Sequence, residues 1–247
     1  MLKIKSSPTL AGIEITGDKS DLKELADAVL FIIGDEDDYP GYESCRVKLL
    51  DLCGKLVFAV NGKAAMQCDG FDLYICRVLW PDALFDISCI SDYLFLYAGN
   101  EFYLKNRQNI KKYSNEENEA KIEMSYDYVD YIRFFQGAVR NELRRTIGKV
   151  RFCEFASTYL YHHIFSGATK HYEHYATQYI DRLNTKYLKT PVSERRKMLS
   201  SVFAEILNRD LHHDRYREMV IKESKKAGVL PHRYIPTKFE YPKMIEW

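Results

Sequence analysis

Four of the seven histidines lie close together in the chain, on either side of the short segment SGAT. His162 and His163 end one apolar-periodic segment, and His171 and His174 begin the next. If both segments are helices of an antiparallel hairpin, residues whose numbers sum to about 335 lie at the same level. That pairing places His163, His171 and His174 within about one helical turn of Glu173. Imidazoles and a carboxylate bind zinc and other divalent transition metals, so these four residues are a candidate metal site.

The apolar stripes of the same two segments favour another interpretation. Only His163 shares a face with the stripe formed by Phe152 and Tyr159, whereas His171 and His174 point away from the stripe of the following segment. Metal ligands must converge on one point. A buried, hydrogen-bonded His163 with solvated neighbours is therefore the alternative to a metal site.

Two further groups have residue types suited to acid/base chemistry. His213 lies beside Asp214, but neighbouring residues of a helix diverge by about 100° and do not face one substrate. Asp82 and Asp86 are spaced i, i+4 after an apolar strand, where paired carboxylates hold metals or transfer protons. A simpler interpretation is that Asp82 lies in a first helical turn, where the helix dipole favours it.

No GxGxxG, GxxxxGK[ST], HExxH or GxSxG motif occurs, so nucleotide-dependent and serine-hydrolase chemistry lack their usual signatures.

The two halves of the chain carry opposite charge. Residues 1–124 have 14 Lys and Arg against 21 Asp and Glu, a net charge of −7, and residues 125–247 have 22 against 14, a net charge of +8. We expect the halves to attract each other, or the basic half to meet an acidic partner. Its arginines, lysines and tyrosines make nucleic-acid binding one alternative, although glutamates interleave with them, as is typical of a solvated face.

The sequence predicts a cytoplasmic protein with no membrane partner. The N-terminal stretch MLKIKSSPTL lacks the apolar core of a signal peptide, and no window reaches the roughly 18–20 apolar residues of a membrane span. The six cysteines show no CxxC spacing and lie inside apolar patterns. We expect them to be core residues in a reducing compartment rather than disulfides or zinc ligands.

The elements are organised around residues 71–99, an apolar run that predicts a buried strand leading into a buried helix. The predicted fold class is α+β: a small antiparallel sheet of two hairpins with three helices, followed by a C-terminal bundle of about five helices. The predicted lobes are an α/β N-terminal lobe over 1–110, a linker over 111–124, a helical lobe over 125–228 and an extended C-terminal tail over 229–247. In the helical lobe, helices are expected at about 126–147, 150–165, 169–188, 191–207 and 210–227.

The run LAGIEITGDKSDLKELADAVLFIIGDEDDYPGYESCRVKLLDLC, together with the later RVLWPDALF, resembles an uncharacterised bacterial family known as a domain of unknown function. These residues lie within about the first 85 positions, and residues 125–247 add nothing to the resemblance. The resemblance implies a bacterial, cytosolic, stand-alone protein. It brings no established catalytic residues.

The function predicted from these features is that of a non-enzymatic binding or interaction protein, using an aromatic-rich groove between the lobes. The expected partner is another protein or a second copy of the chain. One alternative is a metal-dependent hydrolase or nuclease that holds a divalent transition metal on His163, His171, His174 and Glu173. The other alternative is nucleic-acid binding by the basic helical lobe.

Overall fold

The computed structural model describes residues 2–62, 65–68, 70–99, 116–160, 172–208, 211–236 and 239–247. Its four strands form one antiparallel sheet in the order β1-β2-β4-β3, with β1 at Lys3–Ser6, β2 at Gly12–Gly17, β3 at Met66–Cys68 and β4 at Phe71–Leu79. The α+β class and the two predicted hairpins are confirmed.

The register of the second hairpin is that of a two-residue turn. Cys68 pairs with Phe71, and Gly70 has a φ of +83°, although Asp69 lies outside the described residues. The remainder of β4 pairs with β2, from Gly12 opposite Leu79 to Gly17 opposite Tyr74. A Cβ at Gly12 would overlap the carbonyl oxygen of Val78, so glycine permits this close approach of the two hairpins.

The described ranges contain eight α-helices and one short 3₁₀ helix at Pro231–Arg233. The α-helices are α1 at Lys19–Ile33, α2 at Glu43–Asn61, α3 at Trp80–Gly99, α4 at Glu116–Ile147, α5 at Lys149–Leu160, α6 at Gln178–Lys189, α7 at Val192–Asn208 and α8 at Leu211–Ala227. None of these helices is long and apolar enough to cross a membrane.

Helix α1 has a capping box at its start and a glycine at its end. The Asp18 side chain accepts a hydrogen bond from Asp21 N at 2.9 Å, and the Asp21 side chain accepts one from Asp18 N at 3.1 Å. This reciprocal capping box satisfies two N–H groups that the helix leaves free. Gly34 ends the helix with a φ of +57°, a conformation that suits glycine.

Helix α3 lies at the centre of the molecule, as its apolar sequence predicts. All residues from Trp80 to Ile90 are buried, and α3 contacts α1, α2, α4, α6 and α7. Apolar residues of both predicted lobes, such as Ile15 and Leu183, belong to one hydrophobic core around it. The strand-to-helix segment 71–99 is therefore the structural centre of the whole described chain.

Two helix boundaries differ from those predicted. Helix α4 begins at Glu116, ten residues before the expected start, so residues 116–124 of the predicted linker are helical. Helix α6 begins only at Gln178, and the expected start near Thr169 is wrong for residues 172–177, which form a turn. The expected end of α5 near Phe165 and the whole SGAT segment lie outside the described residues. The division into lobes stays a prediction.

Candidate functional site

The turn at 172–177 replaces the predicted first turns of α6 because its backbone N–H groups bind acceptors far along the chain. Tyr172 N donates to the buried carboxylate of Asp92 at 3.1 Å, and His174 N donates to the carbonyl of Gly41 at 2.6 Å. His174 has a φ of +57°, which is left-handed and incompatible with a helix. Local periodicity carries no information about these distant acceptors.

A buried histidine completes this arrangement. His213 of α8 is fully buried, and its Nε2 accepts a hydrogen bond from Ala176 N at 3.3 Å. Its ring stacks on Tyr175, with ring centroids 4.2 Å apart. Since Nε2 is an acceptor here, the proton is on Nδ1, which lies 3.3 Å from Asp214 Oδ1. His213 is therefore a positioning group for the turn, and its Asp214 neighbour is exposed at the protein surface.

The turn packs against the loop at 34–42 that joins α1 to α2, which we call the acidic loop. Gly41 has a φ of +93°, and a Cβ placed on it would lie 2.9 Å from Glu173 Cγ and 3.1 Å from His174 Cε1. Contacts as short as the first are essentially never observed for a real Cβ, so the two turns fit together only with glycine at this position.

A cleft of about 370 Å³ opens beside this pair of turns. One wall is the acidic loop and the start of α2, which contribute Glu36, Asp37 and Glu43. The opposite wall comes from the 172–177 turn, α8 and the 3₁₀ helix, which contribute His174, Arg217 and His232. The cleft therefore lies between the N-terminal and C-terminal halves of the chain.

Glu43 is held in its ionised form. Burial acts to raise the pKa of its carboxyl, but a hydrogen bond from Gly41 N at 2.9 Å and the nearby His232 and His174 outweigh burial and lower the pKa. Arg233 lies 3.6 Å and His232 Nε2 4.0 Å from Glu36 Oε1. The Arg233–Glu36 ion pair joins the C-terminal segment to the acidic loop at the surface.

Gln178 is the most buried polar residue that lines the cleft. The residue is 6% exposed, and its Nε2 donates to the carbonyls of Pro231 at 2.7 Å and Tyr234 at 2.9 Å. Both amide hydrogens are thereby used, which fixes the orientation of the side chain. Its Oε1 is buried and accepts no hydrogen bond from the described residues. An unsatisfied buried acceptor costs about 1–3 kcal/mol.

The structure brings together two of the four predicted metal ligands. His174 Nε2 lies 3.7 Å from Glu173 Oε1, and the His174 side chain is 58% exposed. His163 and His171 lie outside the described residues. Within the described part of the chain, no three His, Cys, Asp or Glu residues are placed to hold one metal ion. The four-residue metal site stays a prediction.

A second polar cluster lies where α2, α3, α6 and the C-terminal tail meet. Lys48 Nζ lies 2.6 Å from Asp181 Oδ1 and 3.3 Å from Asp82 Oδ1. Asn184 donates to Asp82 at 3.0 Å, and the hydroxyl of Tyr241 donates to Asp181 at 3.2 Å. We call these five residues the Lys48 cluster. The sequence signal for it is Asn184, a polar residue on the apolar face of α6, between Ile180 and Leu188.

The two carboxyls of the Asp82–Asp86 pair have pKa values shifted in opposite directions. Burial acts to raise the pKa of Asp82, but Lys48 and Lys55 outweigh it and lower the value. Burial raises the pKa of Asp86 well above its ordinary range, and the charge of Asp82 adds to the effect. Such divergence is typical of acid/base pairs. Here, however, Asp82 and Asp86 are 5% and 3% exposed, so protein covers both carboxyls.

Four of the described cysteines, Cys45, Cys53, Cys76 and Cys89, are buried free thiols. Cys153 is exposed, so the expectation that every cysteine is a core residue is wrong for this one. Burial raises the pKa of Cys53 and Cys76 to about 12, so both remain protonated at neutral pH. Their expected role as small core residues agrees with this environment.

One arginine of the nucleic-acid hypothesis is bound inside the protein. Arg195 is 8% exposed and donates to three carbonyls, those of Thr9 at 2.9 Å, Leu188 at 3.1 Å and Thr190 at 3.1 Å. Its guanidinium joins the end of α6 to the β1–β2 hairpin. Arg195 is therefore occupied within the protein and does not present its charge on the surface.

No curated protein and no solved structure gives a match to this chain. A family model matches residues 2–247, so the resemblance extends beyond about the first 85 positions into the helical second half. The chain therefore belongs to the family described as Domain of unknown function (DUF6904).

Proposed function

We propose that this protein is a non-enzymatic binding protein that holds a small ligand in the cleft between its two halves. The observation that carries the proposal is the cleft itself, a concave site of about 370 Å³ lined by residues from both halves of the chain. Small-molecule sites are typically clefts of about 300–1,000 Å³ in which a few polar groups fix the orientation of the ligand.

The chemistry of the lining supports recognition through charge and hydrogen bonds. Tyr175 is the one Phe, Tyr or Trp side chain among the lining residues, so the cleft differs from the aromatic-rich groove that the sequence predicts. The tyrosines of this region instead pack in the core, where Tyr172 and Tyr175 contact Phe85. Stacking on exposed rings is therefore a minor part of recognition at this site.

The distribution of titratable groups supports binding over catalysis. The groups with strongly shifted pKa values, Asp86 and Lys48 among them, do not line the cleft. Glu43 lines the cleft, and the lowered pKa of its carboxyl keeps it ionised, which suits a fixed charge rather than a proton donor. Catalytic acids usually have their pKa moved toward the working pH instead.

Ligand-observed NMR with a mixed panel of amines, carboxylates, sugars and nucleosides tests the proposal. Ile221 is 41% exposed on α8 and lines the cleft, so Ile221→Trp fills the space without disturbing the core. Met219 is 37% exposed on the same helix outside the lining, so Met219→Trp is the matched control. We expect at least one compound to bind the wild type and Met219→Trp and to lose binding in Ile221→Trp.

Two results would contradict the proposal. One is the absence of any binder, or binding that Ile221→Trp leaves intact. The other is a panel compound that the protein converts, which the same spectra reveal after prolonged incubation and which would make the protein an enzyme. Bacterial origin, cytoplasmic location and a protein partner or self-association stay predictions of the sequence, as do the metal-dependent hydrolase and nucleic-acid alternatives.

A further inference from the structure

The segment that follows α8 contains no buried residue among those that the structure describes. Every described residue from 225 to 247 is partly or fully exposed, although the ring of Tyr234 packs against the core. We call residues 228–236 the strap. It begins at Gly228, which has a φ of +67°, and contains the 3₁₀ helix. A segment that buries so little apolar surface detaches at a lower free energy than the whole protein unfolds.

Two hydrogen bonds from one buried side chain hold the strap to the rest of the protein. Gln178 Nε2 donates to the carbonyl of Pro231 at 2.7 Å and to the carbonyl of Tyr234 at 2.9 Å. The Arg233–Glu36 ion pair adds little, because its side chains are 64% and 53% exposed to water. The side-chain amide of Gln178 is therefore the latch of the strap.

The strap forms one wall of the cleft, to which it contributes Leu230, Pro231 and His232. The wall formed by the 172–177 turn is held differently. There, His174 N donates to the carbonyl of Gly41, and Ala176 N donates to the buried ring of His213. The turn is thus tied to the body of the protein by its own backbone, whereas the strap depends on a single side chain. The strap is the wall that can move while the turn stays in place.

These contacts define a conformational device. We propose that the strap is a lid of the cleft, which opens about Gly228 without unfolding of the core and is closed by the Gln178 latch. Hinges are a few residues at the ends of elements that absorb changes in φ and ψ, and Gly228 lies directly after α8. The role as a lid rests on the proposed function, whereas the opening of the strap is measured without a ligand.

Native-state hydrogen exchange of the full chain, followed by NMR, measures the opening. Arg233 N donates to the carbonyl of Leu230 at 2.9 Å, and Tyr234 N donates to that of Pro231 at 3.3 Å. A 3₁₀ helix of this length does not persist once it leaves the protein surface. Corrected for intrinsic rates, both strap amides should exchange at least about a hundredfold faster than the amide of Ile90 in the centre of α3.

Gln178→Met and Gln136→Met are a matched pair of variants. Gln136 is 3% exposed, and its Nε2 also donates twice, to Ile87 O at 2.7 Å and to Ser91 Oγ at 2.8 Å, both in α3. Gln178→Met should speed exchange of the strap amides about tenfold and change the rate at Ile90 less than about threefold. Gln136→Met should speed exchange at Ile90 and leave the strap amides within about twofold, because the strap opens independently of the core.

The outcomes separate the opening of the strap from the function of the cleft. Equal exchange rates for the strap amides and Ile90 in the wild type would overturn the proposal, since the strap would then open only on global unfolding. Equal acceleration of the strap amides by both variants would mean that Gln178 is not the latch.

A panel compound that binds the wild type but not Ile221→Trp should slow exchange of the strap amides. Binding without this slowing would overturn the role as a lid and leave the binding function standing. If the panel gives no binder, the binding function and the lid role fall together, whereas the exchange rates still decide whether the strap opens.

Discussion

Lys48 Nζ lies 2.6 Å from Asp181 Oδ1, and this ion pair joins α2 to α6 across 133 residues of sequence. Asp82 of α3 lies 3.3 Å from the same ammonium. One lysine thus binds carboxylates from the N-terminal and C-terminal halves of the chain. Buried ion pairs add little net stability relative to apolar residues, but removing one partner leaves the other charge uncompensated.

We expect Lys48→Met to lower the free energy of unfolding by about 1–3 kcal/mol, because Asp82 and Asp181 lose their shared ammonium while Lys55 remains 3.7 Å from Asp82. Urea denaturation measures the change. Lys186→Met is the matched control: Lys186 pairs with Glu205 at 3.0 Å, but its side chain is 53% exposed, so its loss should cost less than about 1 kcal/mol. Similar losses of unfolding free energy in Lys48→Met and Lys186→Met would show that the Lys48 cluster does not link α2 to α6.

The raised pKa of Asp86 makes a prediction about pH. Burial and the charge of Asp82 keep Asp86 protonated in the folded protein, whereas in the unfolded chain an aspartate titrates near pH 4. As pH rises above about 4, the unfolded state releases a proton that the folded state retains, so Asp86 makes stability fall with rising pH. Asp86→Asn mimics the protonated carboxyl and removes this dependence. We expect the Tm of the variant, relative to the wild type, to rise by roughly 3–5 °C for each pH unit above about 4 over which folded Asp86 stays protonated.

Thermal unfolding of both proteins across pH 5–8 measures how steeply the Tm of each depends on pH. Asp130→Asn, the same change at an exposed position of α4, controls for the loss of one negative charge. Parallel pH profiles for the wild type and Asp86→Asn would mean that Asp86 is ionised in the folded protein. That result would also contradict the opposite pKa shifts described for Asp82 and Asp86.

Features that depend on neighbouring residues in the chain follow from the sequence. The Asp18–Asp21 capping box and the Gly34 terminus of α1 are short-range signals, and both are observed. The buried character of α3 follows from composition alone, since nearly every residue from Trp80 to Ile90 is apolar or small. The pairing of Cys68 with Phe71 follows from a two-residue turn, which fixes the register of a hairpin.

The candidate site depends on contacts that the sequence does not encode locally. Residues 172–177 have the spacing of a helix, yet the acceptors Asp92, Gly41 and His213 take their N–H groups from up to 133 positions away. Gln178 is notable only because two carbonyls of the C-terminal segment bind its amide. Tertiary hydrogen bonds therefore outweigh local helix propensity in this segment, and periodicity cannot foresee them.

Gly41 offers a test of the packing between the acidic loop and the 172–177 turn. Gly41→Ala places a Cβ 2.9 Å from Glu173 Cγ at a φ of +93°, so we expect a loss of about 1–3 kcal/mol and a weaker affinity for any ligand of the cleft. Gly54→Ala is the matched control. Gly54 lies inside α2, and a Cβ added there would meet no atom within 4 Å, so this change should stabilise the protein by about 0.5–1 kcal/mol. Chemical denaturation of both variants gives the sign of each change in the free energy of unfolding. An unchanged free energy of unfolding in Gly41→Ala would show that the loop does not pack as described.

His213 offers a test of how the turn is held. Its Nε2 accepts from Ala176 N, so the neutral ring carries its proton on Nδ1, and the ¹⁵N chemical shifts of the imidazole should identify this tautomer. His213→Phe keeps a ring against Tyr175 but leaves Ala176 N–H without its acceptor. We expect a loss of about 1–3 kcal/mol and faster amide hydrogen exchange at Ala176 than in the wild type. His212→Phe, at the exposed neighbouring position of α8, should leave that exchange rate unchanged. Unchanged exchange in His213→Phe, or a ring protonated on Nε2, would mean that another group holds the turn.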